Sequence, residues 1–323
     1  MRYLSAADLD QALPMDAALG AMRAVFADAA NGVVPERVFM RQPRPGHEVA
    51  AWLGAMPAGW TGRGFGAKIV SLIADNPRAG RPAIQGLAVL LDATTGTPAL
   101  ITDAAVLTTR RTAAMAGVAT ECLAAPGASR LALIGTGALA ADVVAAMRAV
   151  RPIEAITVFN RTPDRAEAFA ATLDMEVSLA ESAEAAVEGA DIVTLCTTST
   201  EPVVADDALP PGVHINAVGN FSPTGSELEL ATVARSAIWV DSYDGAFAEA
   251  GEIVLAIEQG LLPPGTAGLQ GELADLVVAD NAPPRDPQAP TLYKSVGTAL
   301  ADVGAMVVAR EVAEREDLGT ELG

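Results

Sequence analysis

The sequence predicts an α/β protein of two domains, one a doubly wound parallel sheet and the other a smaller α+β unit. Three observations predict it. From Arg130 onward, short apolar runs alternate with glycine-rich turns and helical stretches, the order that lays parallel strands under covering helices. Before Arg130 the extended runs follow one another without helices between them, which suits an antiparallel or mixed sheet. The length of 323 residues fits two domains of ordinary size.

Taken in order, the chain opens as helix. Ser5 with Asp8 makes a capping-box pattern, Pro14 suits a first helical turn, and Asn31-Gly32 closes the run. Extended segments are expected at residues 49–55, 66–73 and 84–91, and the turn at 92–96 leads to another at 98–102. Residues 103–125 have helical periodicity with no breaker until Pro126-Gly127, so a domain boundary is expected there. Strand and helix then alternate at 131–134, 138–150, 155–159 and 163–173. Further buried strands at 191–196, 213–218 and 237–240, with a helix at 227–236, bring the strands named to five and fit a doubly wound sheet of six. A proline-rich loop at 280–290 precedes residues 291–297 and a last long helix to about Glu314. The expected division is 1–125 with 298–323 as one domain and 126–297 as the other.

Composition narrows the function. The apolar share is 51% with only 4% aromatic, so the core is built from Ala, Val, Leu and Ile. A formal charge of −19 repels phosphate backbones, which argues against nucleic acid and requires any cofactor phosphate to be held locally. No apolar stretch reaches the roughly 20 residues that span a bilayer, and Met1–Ser5 lacks the order of a signal peptide, so neither a membrane nor secretion is expected and the cytoplasm is. Cys122 and Cys196 lie far apart in apolar runs and read as core thiols, with no metal-ligand spacing. Lys68 and Lys294 stand out in a chain whose other basic residues are arginines, because a desolvated Lys can release its proton near neutral pH and Arg cannot.

The sharpest motif is Gly135-Thr136-Gly137-Ala138-Leu139-Ala140, which follows an apolar strand and opens a helix, the context of a G-x-G-x-x-A dinucleotide turn. The first glycine permits the turn, the second lets the backbone approach a pyrophosphate, and the helix N-terminus presents N–H groups to it. That makes the parallel domain Rossmann-type. At the end of the next strand, Asn160-Arg161-Thr162 holds no acid to accept from a ribose 2′-hydroxyl. Arg161 can reach a 2′-phosphate there and Asn160 can bond the ribose, so NADPH is expected over NADH.

Eight segments in order carry a wider likeness: Pro35-Glu36-Arg37, Gly66-Ala67-Lys68-Ile69-Val70-Ser71, Gly96-Thr97-Pro98, Arg111-Thr112-Ala113-Ala114, Gly135-Thr136-Gly137-Ala138, Asn160-Arg161, Asn216-Ala217-Val218-Gly219 and Lys294-Ser295-Val296-Gly297. With these the sequence resembles the ornithine cyclodeaminase and mu-crystallin family over almost its whole length. The resemblance implies a homodimer, with a substrate and dimerisation domain made from the N-terminal part plus the last helix. It implies that Arg37, Lys68 and Arg111 bind a substrate carboxylate, with Arg111 also near the cofactor and Lys68 as the catalytic group. It further makes Thr197, which follows a strand of the cofactor domain, a cofactor contact, and places Ala217 and Val218, within the run 215–218, and Ser295 on the nicotinamide side and Val296 toward the substrate. The residues suit those roles, since Arg presents a planar fork to a carboxylate and a buried Lys needs an anion or a lowered pKa.

Two departures matter. The cyclodeaminases carry a catalytic Asp just after the Asn-Ala-Val-Gly segment, and Phe221 stands at that position here. A cofactor-side Thr of the family is replaced by Ala83. Members without the Asp include ketimine and pyrroline-carboxylate reductases, so the resemblance implies reduction of a small cyclic imino acid to the amino acid. The alternatives it leaves are an alanine-dehydrogenase-like or N-alkyl amino acid dehydrogenase, a cyclodeaminase in which a nearby acid such as Glu227 stands in, and a non-catalytic binder of NADPH and a small ligand.

Overall fold

A computed structural model describes residues 1–48, 50–279 and 282–323 of the chain. In chain order the elements are β1 (Arg2–Leu4), α1 (Ala6–Ala12), α2 (Met15–Ala27), β2 (Gly32–Val33), β3 (Val38–Gln42), β4 (Ala51–Trp60), β5 (Gly64–Leu72), β6 (Ile84–Leu91), β7 (Pro98–Asp103) and α3 (Ala104–Leu123). Then come β8 (Arg130–Ile134), α4 (Ala140–Val150), β9 (Ala155–Phe159), α5 (Pro163–Ala170), β10 (Val177–Leu179), α6 (Ala183–Val187), β11 (Ile192–Leu195), β12 (His214–Ala217), α7 (Leu230–Arg235) and β13 (Ala237–Val240). The chain ends with α8 (Tyr243–Glu249), α9 (Gly251–Glu258), β14 (Gly271–Glu272), α10 (Leu273–Val278), β15 (Thr291–Lys294), α11 (Ala299–Glu316) and β16 (Thr320–Glu321). Two units result: Met1–Arg111 with Thr298–Gly323, and Thr112–Gly297. The division falls inside α3 rather than at 125/126. The start of that helix bonds to the first unit, Arg110 to Asp10 and Arg111 to Asp302, while Thr120 accepts from Asn216 of the second.

The first unit is built on a mixed sheet in the order β16-β1-β7-β6-β5-β4-β2, with β3 added to β4. β1 runs parallel to β7, and the other neighbours are antiparallel. Side chains alternate across it, because successive strand residues face opposite ways. Met56, Lys68, Ala88 and Thr102 share a row on one face, which is buried, and α11 packs on β4, β5 and β6 as well as on α2. The opening helix expected as one run is two. Pro14 caps the start of α2, and α1 ends at Ala12 with Leu13 as its C-cap, whose N–H still reaches Leu9 O. Proline has no N–H to continue the ladder and its ring clashes with the preceding turn. Ser5 and Asp8 do form the capping box. The strand expected to begin at Val49 starts at Ala51, and Val49 itself lies outside the described residues.

The second unit is a parallel sheet in the order β10-β9-β8-β11-β12-β15-β13-β14. It has eight strands where six were expected. β10 and β14 are only three and two residues long, too short for a hydrophobic period to register. Asp280 and Asn281 of the expected proline-rich loop lie outside the described residues. Its core takes Ile134, Val193, Leu195, Ile215, Ile238 and Leu292 from successive strands, with Leu228 against them. Strand order reverses between β8 and β11, and ligands of such sheets bind outside the carboxyl ends of the strands at that point. Both cysteines are free thiols, and Cys196 is buried, which pushes its thiol up. Among the described residues no helix is long and apolar enough to cross a membrane.

Candidate active site

The glycine turn lies at the carboxyl end of β8, at the switch point. Gly135 has φ +97°, and a Cβ there would stand 2.9 Å from Cys196 O; only glycine takes that conformation in that space. A Cβ on Gly137 would find nothing nearer than Cys196 O at 3.9 Å, and Gly137 and Ala138 are exposed, so the backbone there is open to a ligand. Leu139 precedes α4 in helical conformation and gives it no side-chain cap, which leaves the first-turn N–H groups for an anion. These features fit the pyrophosphate of a dinucleotide. Asn160 ties the turn to the end of β9: its Oδ1 accepts from Thr136 N–H at 3.3 Å and its Nδ2 donates to Thr162 O at 2.9 Å. Its carboxamide therefore shapes the turn, a role the sequence did not reveal. Arg161 follows it, exposed, with no acid on either side.

The loops after β11, β12 and β15 form the rest of the same edge. Thr197 donates from both N–H and hydroxyl to Glu227 Oε1. Ala217 and Val218 are buried, and Val218 N–H bonds Leu195 O at 3.1 Å. Ser295 donates its hydroxyl to Asp241 Oδ2 at 2.9 Å, and Val296 donates its N–H to the same oxygen at 3.1 Å. Phe221 is 44% exposed on the loop after β12, so its ring does not turn into the core. Glu227 offers no substitute for the missing acid, since it is fully buried and both its oxygens already accept two hydrogen bonds. The helix expected at 227–236 begins at Leu230, because the backbone before it is extended: Glu227 O accepts from Val203 N–H, and Leu228 bridges to Val204.

In the first unit, Lys68 sits in the middle of β5 opposite Met56 and Ala88, with 2% of its surface exposed. Its Nζ lies 3.0 Å from Asp302 Oδ2 and 3.1 Å from Oδ1. Arg111, 4% exposed, donates from Nε to the same Oδ1 at 2.9 Å. Asp302 stands in the first turn of α11, where the helix dipole favours an anion. The trio carries a net positive charge and is buried. Burial, and then the Arg111 guanidinium, lower the Lys68 pKa to about 8, against the opposing pull of Asp302; Arg37 adds to the lowering. Arg37 itself is half-buried just before β3. Asp302 was not among the residues singled out in the sequence, although an acid inside the apolar run Ala299-Leu300-Ala301-Asp302-Val303 is a signal of a buried partner. Ala83 lies just before β6 and accepts from Ile73 N–H.

The chain is 34% identical over 256 residues to a Delta(1)-pyrroline-2-carboxylate reductase of Bacillus cereus, a match that covers 78% of this chain and 77% of that protein. Its structure resembles that of the Thermococcus litoralis Delta(1)-pyrroline-2-carboxylate reductase in complex with NADH and L-proline, with a TM-score of 0.92, 30% identity and 100% of both chains covered. It also resembles an archaeal alanine dehydrogenase dimer with bound NAD, at TM-score 0.90 and 26% identity, covering 100% of this chain and 99% of that one. Fold, glycine turn and relatives together define a nicotinamide-dependent oxidoreductase acting on C–N bonds. The ornithine cyclodeaminase/mu-crystallin family model matches residues 2–317, and the chain belongs to that family.

Proposed function

We propose that the protein is an NADPH-dependent reductase of small cyclic imino acids, such as pyrroline- or piperideine-2-carboxylate, giving the amino acid. The observation that carries this is the buried Lys68, held by Asp302 beside Arg111 with a pKa lowered to about 8. An imine accepts hydride more readily when its nitrogen is protonated. A lysine that can hold or release a proton near neutral pH serves that step, and a charge fixed in a dry site acts without reorganising. By the family resemblance Arg37 and Arg111 would hold the adjacent carboxylate, and Val296 would lie toward the substrate. Gly135, Thr136, Gly137, Ala138 and Leu139 would hold the pyrophosphate, Asn160 and Arg161 the ribose and its 2′-phosphate, and Thr197, Ala217, Val218 and Ser295 the nicotinamide end. When bound, the reduced nicotinamide supplies the hydride equivalent.

Cyclodeamination of ornithine needs repeated proton transfers by a placed acid or base, and losing such a group typically costs about 10²–10⁴-fold in rate. Phe221 cannot transfer a proton, and Glu227 is fully engaged. The proposed reading includes assembly as a homodimer. Met40 and Leu53, Ile69 and Leu87, and Phe65 share the face of the first sheet opposite Lys68, and all are exposed. A contiguous apolar face of this kind marks an interaction surface, and the archaeal alanine dehydrogenase relative is a dimer.

The test mixes the protein with NADPH and a panel of cyclic imino acids, keto acids with amines, and ornithine, following nicotinamide absorbance and ammonia. Oxidation of NADPH with the cyclic imino acids and no ammonia from ornithine is expected. Brisk ammonia release with stoichiometric proline would restore the cyclodeaminase reading, and cofactor binding without turnover on any substrate would favour a binding protein. In the same assay Arg161→Ala should raise the KM for NADPH far more than that for NADH; equal effects would remove Arg161 from the 2′-phosphate.

A further inference from the structure

Lys294, the second of the chain's two lysines, has no part in the chemistry above, yet it is only 1% exposed. Its Nζ pairs with Glu252 Oε2 at 2.8 Å and donates to Asn220 O at 2.7 Å. Glu252 Oε1 accepts from the backbone N–H of Glu227 at 3.0 Å. Glu227 then receives four donors: Thr197 N–H and hydroxyl on one oxygen at 2.9 and 2.7 Å, and the N–H groups of Gly219 and Asn220 on the other at 3.0 and 2.9 Å. Burial pushes its carboxyl up, while Lys294 and the Thr197 hydroxyl draw it down. An ionised carboxylate suits all four donors, whereas an amide would set its own N–H groups against one pair.

The donors belong to two loops at the carboxyl ends of adjacent parallel strands, β11 and β12. Those loops press together: a Cβ on Gly219 would stand 2.1 Å from Thr197 O and 2.3 Å from Thr197 N. Glu227 thus clamps them from behind as one surface.

We propose that Glu227, backed by Glu252 and Lys294, is a positioning residue that sets the loops after β11 and β12 for the nicotinamide half of the dinucleotide. This rests on the cofactor reading above. A doubly wound sheet binds the two halves of a dinucleotide on its two sides. The glycine turn and Arg161 belong to the β8–β9 side, and the clamped loops to the other. Glu227 should therefore act on one half of the cofactor only.

The experiment compares NADPH with 2′-phospho-ADP-ribose, which lacks the nicotinamide; NADH and ADP-ribose are the matching pair if the chain prefers them. Glu227→Gln should weaken NADPH binding by about tenfold or more and lower kcat by up to about a hundredfold, while affinity for 2′-phospho-ADP-ribose changes by less than about twofold, since its contacts lie on the other side of the sheet. Glu252→Gln, one bond further from the loops, should show the same split at smaller amplitude, and it carries the test alone if Glu227→Gln does not fold. Equal weakening of both ligands would reduce the clamp to general support of the fold and overturn the proposal, as would unchanged NADPH binding and kcat. Failure of the unaltered protein to bind either reduced cofactor would instead overturn the cofactor reading, and the proposal with it.

Discussion

Lys68 shows how one residue acquires its chemistry from its surroundings. An exposed lysine stays protonated far above neutrality, but here burial and two arginines draw it down to about 8 while Asp302 keeps it from falling further. If its proton is needed for imine reduction, kcat should stay level below about 8 and fall as pH rises through that value, because the lysine is then losing the proton it must supply. Lys68→Met should abolish turnover and leave NADPH binding nearly intact. Lys68→Arg should not rescue it, since a guanidinium is larger and holds its proton throughout. Rate profiles at saturating substrate for all three proteins check this. Full activity in the arginine variant would reduce Lys68 to a simple positive charge.

At the scale of elements, the cluster depends on three pieces far apart in sequence: the middle of β5, α3 at Arg111 and the first turn of α11. Asp302 joins them. Asp302→Asn would leave Lys68 and Arg111 buried without a carboxylate between them, and breaking a buried pair from one side typically costs about 3–5 kcal/mol. Denaturant unfolding should register a loss of that order. The variant should also move the alkaline limb of the rate profile to lower pH, because the group that raises the Lys68 pKa has gone. Adding Lys68→Met to Asp302→Asn should recover part of the lost stability, as one buried cation is then removed. Strict additivity of the two losses would show that they are not coupled.

For the whole molecule, the proposed homodimer rests on the exposed apolar face of the first sheet. Ile69 and Leu87 are cross-strand neighbours, 46% and 50% exposed. Sedimentation equilibrium should find a dimer, and Ile69→Glu with Leu53→Glu should yield monomers, because both substitutions place charge on that face. Neither side chain belongs to the buried row that holds Lys68, so the variant should stay folded. A monomeric unaltered protein at micromolar concentration would remove this face as a dimer interface.

Much of this was legible in the residues themselves. The alternation after Arg130 and the Gly135-Thr136-Gly137 turn revealed a parallel dinucleotide-binding sheet, because backbone periodicity and glycine's freedom at positive φ are local properties. Lys68 stood out by its rarity and its apolar strand. What the residues alone could not show was pairing across the chain: Asp302 lies 234 residues after Lys68, and the carboxylate of Glu227 takes its meaning from loops at Thr197 and Gly219. Nor could local pattern count the strands, since β10 and β14 exist only because neighbours hold them in the sheet. Sequence determined which faces must be buried and where a phosphate could rest. The tertiary structure alone decided which charges share a dry space, because the energy of a buried ion depends on its neighbours in space and hardly at all on those along the chain.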